Sequence, residues 1–268
     1  MSTISARRPG VAARVVAVVA LAVAASACGS SDSDPSPSQT SSAPAPTQGP
    51  VDLSKLIIPA GPGHPAKGKV FEATFQEAAA SGLLAPPEGM TFAPDACVNF
   101  IELGDPATLN GWMQYNEASP VGKQHNLAHK DFYVGTIFQL PQGVDLEKIR
   151  LTALSCDAGS VTLQGDDNTT VTGTLTNTEV EDAIDLPGAA AFEMTQRLQF
   201  EPTTDPDTNA ILTQYYGELD SDGGVLRIKQ IILVNVGDIL LLVNMQDMTA
   251  ARQLATDFRQ RAEQHGLL

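Results

Sequence analysis

The stretch VLRIKQIILVNVGDILLLVNMQ constrains the fold more than any other part of the chain. Its two runs, residues 225–236 and 239–246, are rich in leucine and β-branched residues and flank Gly237 and Asp238. Glycine at the first central position of a two-residue loop suits a type II′ hairpin. A strand with one wet face alternates apolar and polar side chains. Here Ile231, Ile232, Leu233 and Val234 follow one another, as do Ile239, Leu240, Leu241, Leu242 and Val243. The pattern predicts a central hairpin covered on both faces. Beyond it, Ala251, Leu254, Ala255, Phe258 and Ala262 recur at helical spacing, with Arg252, Asp257, Arg259 and Glu263 turned away. Asp247 or Thr249 can cap the start of this helix, and Gly266 stands where a C′ glycine is expected. The helix should pack on the hairpin.

Weaker patterns precede it. AAAFEMTQRLQF alternates imperfectly and ends strand-like at Phe200, and AILTQYYGEL reads as a further strand before the turn at Asp220 to Gly224. Val161 and Leu163 stand before Gly165-Asp166-Asp167-Asn168, and Val171 and Leu175 after it, predicting a second hairpin that is weakened or bulged at Gly173. VDLEKIRLTALSC, with Leu146, Ile149, Leu151 and Leu154, reads as a short helix. KDFYVGTIFQLP reads as a strand closed by Pro141. Residues 71–80 read as helix, halted by Gly82 and Pro86-Pro87. Together these predict an α+β fold: an antiparallel β-sheet built from hairpins, helices on at least one face, and a terminal strand, turn, strand and helix.

The N-terminus is of another kind. Arg7, Arg8 and Arg14 precede an apolar run of eleven residues, 15–25. At about 1.5 Å per residue the run covers roughly 16 Å, half of a hydrocarbon core about 30 Å thick, so it suits an export signal rather than a membrane span. The run leads into Ala25-Ser26-Ala27-Cys28-Gly29, which resembles the lipobox of bacterial lipoproteins. That resemblance implies cleavage before Cys28 and a thioether-linked diacylglycerol on its thiol, with further acylation. Residues 29–50 then contain no large apolar side chain and are dominated by serine, threonine and proline, so they cannot offset their chain entropy by burial. The organisation expected is a signal peptide over residues 1–27, a disordered tether over 28–50, and one α+β domain over 51–268.

Charge and cysteines agree with export. The chain has 16 Lys and Arg against 31 Asp and Glu. Removing residues 1–27 deletes three arginines and no acid, leaving 13 cations against 31 acids, a net charge of −18. Such a body repels phosphate backbones, which excludes nucleic acid as a partner and leaves the lipid at Cys28 to hold it to the membrane. Cys97 and Cys156 remain as an even pair in an oxidising compartment and are expected to form one disulfide.

An exported lipobox protein with a Ser/Pro tether, a spaced cysteine pair and the architecture of residues 225–266 resembles actinobacterial cell-envelope lipoproteins. More distantly it is similar to the extracellular sensor domain of mycobacterial receptor kinases, which has two disulfides where this chain has cysteines for one. The resemblance implies binding rather than catalysis.

Candidate chemistry is sparse. His125 and His129 in HNLAH have the i, i+4 spacing of zinc peptidases, but Asn126 stands where those enzymes carry a glutamate base. His64 falls in a tether-proximal loop and His265 at a helix end. Asp205, Asp207 and Asn209 occupy positions one, three and five of a calcium loop, yet Ala210 replaces its glycine and Tyr216 its bidentate glutamate, so a solvated turn is the better reading. Ser160 lacks the trailing glycine of a nucleophile elbow, and no phosphate-binding glycine loop occurs. Trp112 is either a sugar platform or core; with aromatics at 5% of the chain, core is the reading taken. No cofactor, metal or catalytic residue is assigned. The expectation is a lipoprotein on the extracytoplasmic face of the cell membrane, binding an envelope lipid, glycan or protein partner in an apolar groove beside the sheet. The alternative is an envelope hydrolase using carboxylates or His125 and His129.

Overall fold

A computed structural model describes residues 49–81, 90–105, 108–116, 131–164, 170–215 and 217–268. Cys28, His125, His129, the 165–168 turn and the Gly82 and Pro86-Pro87 stop lie outside the described residues. The strands are β1 (Val70–Thr74), β2 (Met90–Ala93), β3 (Asn110–Asn116), β4 (Tyr133–Gln139), β5 (Gly159–Gln164), β6 (Thr170–Glu179), β7 (Ala190–Phe200), β8 (Glu218–Leu219), β9 (Val225–Val236) and β10 (Ile239–Met245). The helices are α1 (Phe75–Ala80), α2 (Leu146–Leu154), α3 (Pro206–Tyr215) and α4 (Met248–Gln264).

All described pairings are antiparallel and join one ten-stranded sheet in the order β1-β3-β4-β10-β9-β7-β6-β5-β2, with β8 beside β9. The C-terminal hairpin is central, and every residue of β10 is buried. Gly237 takes a φ of +60°, which the first position of the tight turn requires. Ile232, Val234, Val236, Leu241 and Val243 face α4, where Ala251, Leu254, Ala255, Phe258 and Ala262 close one core. Leu53, Leu56 and Ile57, in a strap ahead of β1, extend that core. Ile231, Leu233, Leu240 and Leu242 face the other way, against Phe75, Phe138, Phe192 and α2's Ile149 and Ala153. The α+β architecture and two-sided hairpin read from the sequence are therefore present.

The disulfide joins Cys97 to Cys156, 59 residues apart, and anchors a third core under β5, β6 and the far end of β7. Asn177 donates from Nδ2 to the carbonyls of Cys97 and Ala153 at 3.2 and 2.9 Å, and Gln196 donates to Cys97 O at 3.3 Å, so the bridge is latched to the sheet.

Three local expectations are corrected. The helix expected over 71–80 begins only at Phe75; residues 70–74 pair with β3 because Thr74 is an N-cap, in a capping box with Glu77. The expected strand in AILTQYYGEL is mostly α3, since Asp205 accepts from Thr208 N at 3.2 Å and Pro206 opens the helix. Only Glu218 and Leu219 form strand there, and the acids read as a solvated turn are a helix start. Gly173 marks neither a bulge nor a weak pairing: its ladder is regular, and a Cβ would lie 2.4 Å from Gln199 O. Close approach of β7 is what requires glycine.

Candidate functional site

Among the described residues two features are candidates for binding, a cleft at one end of the sheet and an uncovered area of one face. The cleft, of about 190 Å³, lies where β4 begins and β10 hands over to α4, and is lined by Pro65, Lys67, Asp131, Phe132, Met245, Gln246 and Asp247. Asn116, fully buried at the end of β3, sets its wall. Its Nδ2 donates to Lys67 O at 2.8 Å and Asp131 O at 2.6 Å, and its Oδ1 accepts from Tyr133 N at 3.0 Å. The two acids at the rim are engaged. Asp131 Oδ1 accepts from Lys67 Nζ at 2.7 Å, which raises the Lys67 pKa, and Asp247 Oδ1 caps α4 by accepting from Ala250 N at 3.1 Å.

Behind the cleft the chemistry is cationic. The Phe132 ring, 1% exposed, carries the Arg227 guanidinium 4.4 Å from its centroid and the Lys229 ammonium at 5.9 Å. Both cations stand on the face of β9 that also bears Ile231 and Leu233. Desolvation pushes the Lys229 ammonium well below the ordinary lysine range, and repulsion from Arg227 adds to this. Among the described residues that ammonium makes no hydrogen bond or ion pair. Because Met245 pairs with Gln230, Gln246 falls beside Lys229. Gln246 Oε1 and, one position-pair inward, Asn244 Oδ1 are buried without a hydrogen-bond partner. Asn244 is 5% exposed.

A second polar network ties the strap to β3. Glu72 Oε1 accepts from Ala60 N at 2.8 Å and from Gln114 Nε2 at 2.7 Å, and Gln114 Oε1 accepts from the Tyr133 hydroxyl at 3.0 Å. His64 Nδ1 accepts from Ala66 N at 3.0 Å, which leaves Nε2 to donate to Gln114 Oε1 at 3.3 Å. Both ring nitrogens are thus occupied in the neutral form, and burial lowers the His64 pKa. His64, half-buried, and Glu72, exposed, bond to the two ends of the buried Gln114 amide rather than meeting across open space. His265 sits at the C-cap of α4. Among the described residues no three His, Cys, Asp or Glu side chains converge to hold a metal.

The uncovered area is the outer surface of β5, β6 and β7, on the same side as α4 but beyond its reach. Thr172, Thr174 and Thr178 are exposed on β6, beside Ser160 on β5 and Arg197 on β7. Cross-strand register places Thr91, Thr162 and Thr172 in one row and Ser160, Thr174 and Gln199 in the next. Trp112, at the other end of the sheet, is half-buried against the α4 core, which fits the core reading, although its Nε1 lacks a partner.

Neither the protein-family models nor the curated proteins gave a match to this chain. No described helix is long and apolar enough to cross a membrane. The sequence predicts an apolar groove beside the sheet; the cleft at the sheet's end mixes Phe132 and Met245 with Lys67, Asp131 and Asp247. The sequence reading did not single out Lys229 and Arg227, which lie over the ring of the cleft residue Phe132. Their signal was present: two cations at i and i+2, on one face of a run otherwise read as a central strand.

Proposed function

We propose that this protein is a lipoprotein anchored through Cys28 to the extracytoplasmic face of the cell membrane, whose α+β domain binds a polar envelope ligand. The observation that carries the anchor is Ala25-Ser26-Ala27-Cys28-Gly29 behind an eleven-residue apolar run and ahead of a serine- and proline-rich tether. The entry of the tether supports a binding role. Gly49 O accepts from Gln139 Nε2 at 3.2 Å and Val51 N donates to Gln139 Oε1 at 3.0 Å, at the end of β4 beside the β9–β10 turn. The cleft opens at the opposite end of β4 and β10. Seven strand residues separate the two, roughly 20 Å, so a tether entering at one end leaves the cleft mouth free. Charged and amide groups in its lining favour a glycan, a peptide or a lipid headgroup over an acyl chain.

The test is fate of the cysteine. The full-length protein made in an actinobacterial host fed an alkyne fatty acid should carry the label and partition into the detergent phase, and Cys28→Ser should do neither. A wild-type product that stays aqueous with a free thiol at Cys28 overturns the reading.

A further inference from the structure

One wall of the cleft depends on an imidazole. His64 Nδ1 accepts from Ala66 N at 3.0 Å, a bond that fixes the bend at Pro65 and Lys67, two of the residues that line the cleft. Ala66, between them, is 4% exposed and belongs to the α4 core. On the other side of the ring the proton positions are settled by Gln114. That residue is fully buried and directs its amide hydrogens to Ile58 O at 2.6 Å and Glu72 Oε1 at 2.7 Å. Its Oε1 therefore faces the Tyr133 hydroxyl at 3.0 Å and His64 Nε2 at 3.3 Å. A carbonyl oxygen only accepts, so Nε2 carries the imidazole proton and Nδ1 a lone pair. A second proton has only Nδ1 to go to, where it would meet the Ala66 N–H donor to donor.

We infer that His64 is a proton-operated latch on the cleft: neutral, it holds residues 64–67 in place as one wall, and protonation breaks its bond to Ala66 N and frees that wall. This rests on the binding role proposed above and adds its regulation. The step is acid–base alone: a solvent proton bonds to the Nδ1 lone pair, the ring becomes a cation, and the Ala66 N–H loses its acceptor. The groups that face the ring are Glu72 from β1, Gln114 from β3 and Tyr133 from β4, whose own ring lies 5.1 Å away. Burial lowers the His64 pKa, outweighing the Glu72 carboxylate, which favours the cation. Burial also keeps the Tyr133 phenol neutral. Asp131 and Asp247, at the rim of the cleft, act on the Lys67 ammonium. A base that binds its proton less readily when folded contributes stability above the ordinary imidazole value of about 6.5. That contribution is lost as pH falls through the lowered value of the folded state.

NMR of the full-length protein in detergent, labelled in the histidine rings and in the alanine and lysine amides, tests this. As pH falls from about 7.5 to about 5, the His64 ring should titrate below the ordinary value of about 6.5. The Ala66 amide proton should move upfield with the same midpoint as its hydrogen bond is lost, and the Lys67 amide should follow it. His64→Asn identifies these signals and removes the switch, because asparagine can accept from the backbone N–H two residues on and does not titrate. In thermal melts over the same range, wild type should lose about 3 °C more than His64→Asn, the loss of one hydrogen bond in a domain of this size. A His64 ring that titrates at or above the ordinary value overturns the inference, as does an Ala66 amide that ignores the ring. Equal loss of Tm in the two proteins overturns it too. A Lys67 amide that stays in place while Ala66 moves shows that the bond does not govern the cleft wall, and the inference fails there as well. Labelling at Cys28 with a bend that ignores pH refutes the latch and leaves the lipoprotein reading standing.

Discussion

One face of the sheet is built in two ways. Over β4, β10 and the end of β9 it is sealed by α4 and the N-terminal strap, and β4 and β10 beneath are buried at every position because their reverse side is sealed as well. Over β5 and β6 the same face is open. There the burial of β6 alternates almost residue by residue, with Val171, Gly173 and Leu175 inward and threonines outward. The difference shows that sequence period reports how many faces of a strand are covered, not merely that a strand exists. It also divides the stability. The sealed half rests on helix burial, whereas the open half has a single small core organised around Cys97 and Cys156.

The largest effect that sharpens this contrast follows from the disulfide. A loop closed across 59 residues contributes roughly 4 kcal/mol in the chain-entropy model. Cys97→Ala with Cys156→Ala should lose about that much in urea denaturation, and hydrogen exchange should speed up first in β2, β5 and β6 while β9 and β10 hold. Uniform loss of protection in both halves would break the comparison.

The boundary between the halves supplies the next effect. Glu193 on β7 is fully buried and accepts from Arg252 of α4 at 3.1, 3.2 and 2.6 Å, while Arg252 also reaches Asp182 O at 2.6 Å. The Glu193 carboxylate raises the Arg252 pKa. Removing Arg252 strands a buried carboxylate. Arg252 is itself about a third exposed, with a side-chain exposure of 35%, so Arg252→Ala should cost about 2 kcal/mol, under the 3–5 of a fully buried pair. The double change Glu193→Met with Arg252→Met should cost less than Arg252→Ala alone. If it costs more, α4 is held by the ion pair and not by its apolar face.

How much of this was legible in the sequence follows the range of the interactions. The central hairpin, the 17-residue helix α4, its Asp247 cap and its Gly266 terminus are local patterns, and each was readable. Residues 71–74 depart from the helix reading because Thr74 and Glu77, a cap signal, lie inside a helix-prone stretch, and tertiary pairing with β3 overrides propensity on its N-terminal side. α3 was misread because apolar spacing in AILTQYY suits either period, and the deciding residues, Asp205 and Pro206, stand before it. The cleft had no local signature. It joins Pro65 and Lys67, Asp131 and Phe132, and Met245 to Asp247, three segments that meet only through sheet order. Lys229 can be placed on the Ile231 face of β9 by counting along the strand, but its approach to the Phe132 ring depends on sheet order.

The smallest effect probes the open half directly. Thr174 is exposed at the middle of β6, with Ser160 on one side and Gln199 on the other. Valine has the same shape and an equal or better fit to a pleated strand, and at an exposed site it removes only a solvated hydroxyl. Thr174→Val should therefore change stability by less than about 0.5 kcal/mol, the range of ordinary surface substitutions, in urea denaturation. A stabilisation well above 1 kcal/mol would mean that this face is dry in solution, and the division into a sealed and an open half would fail.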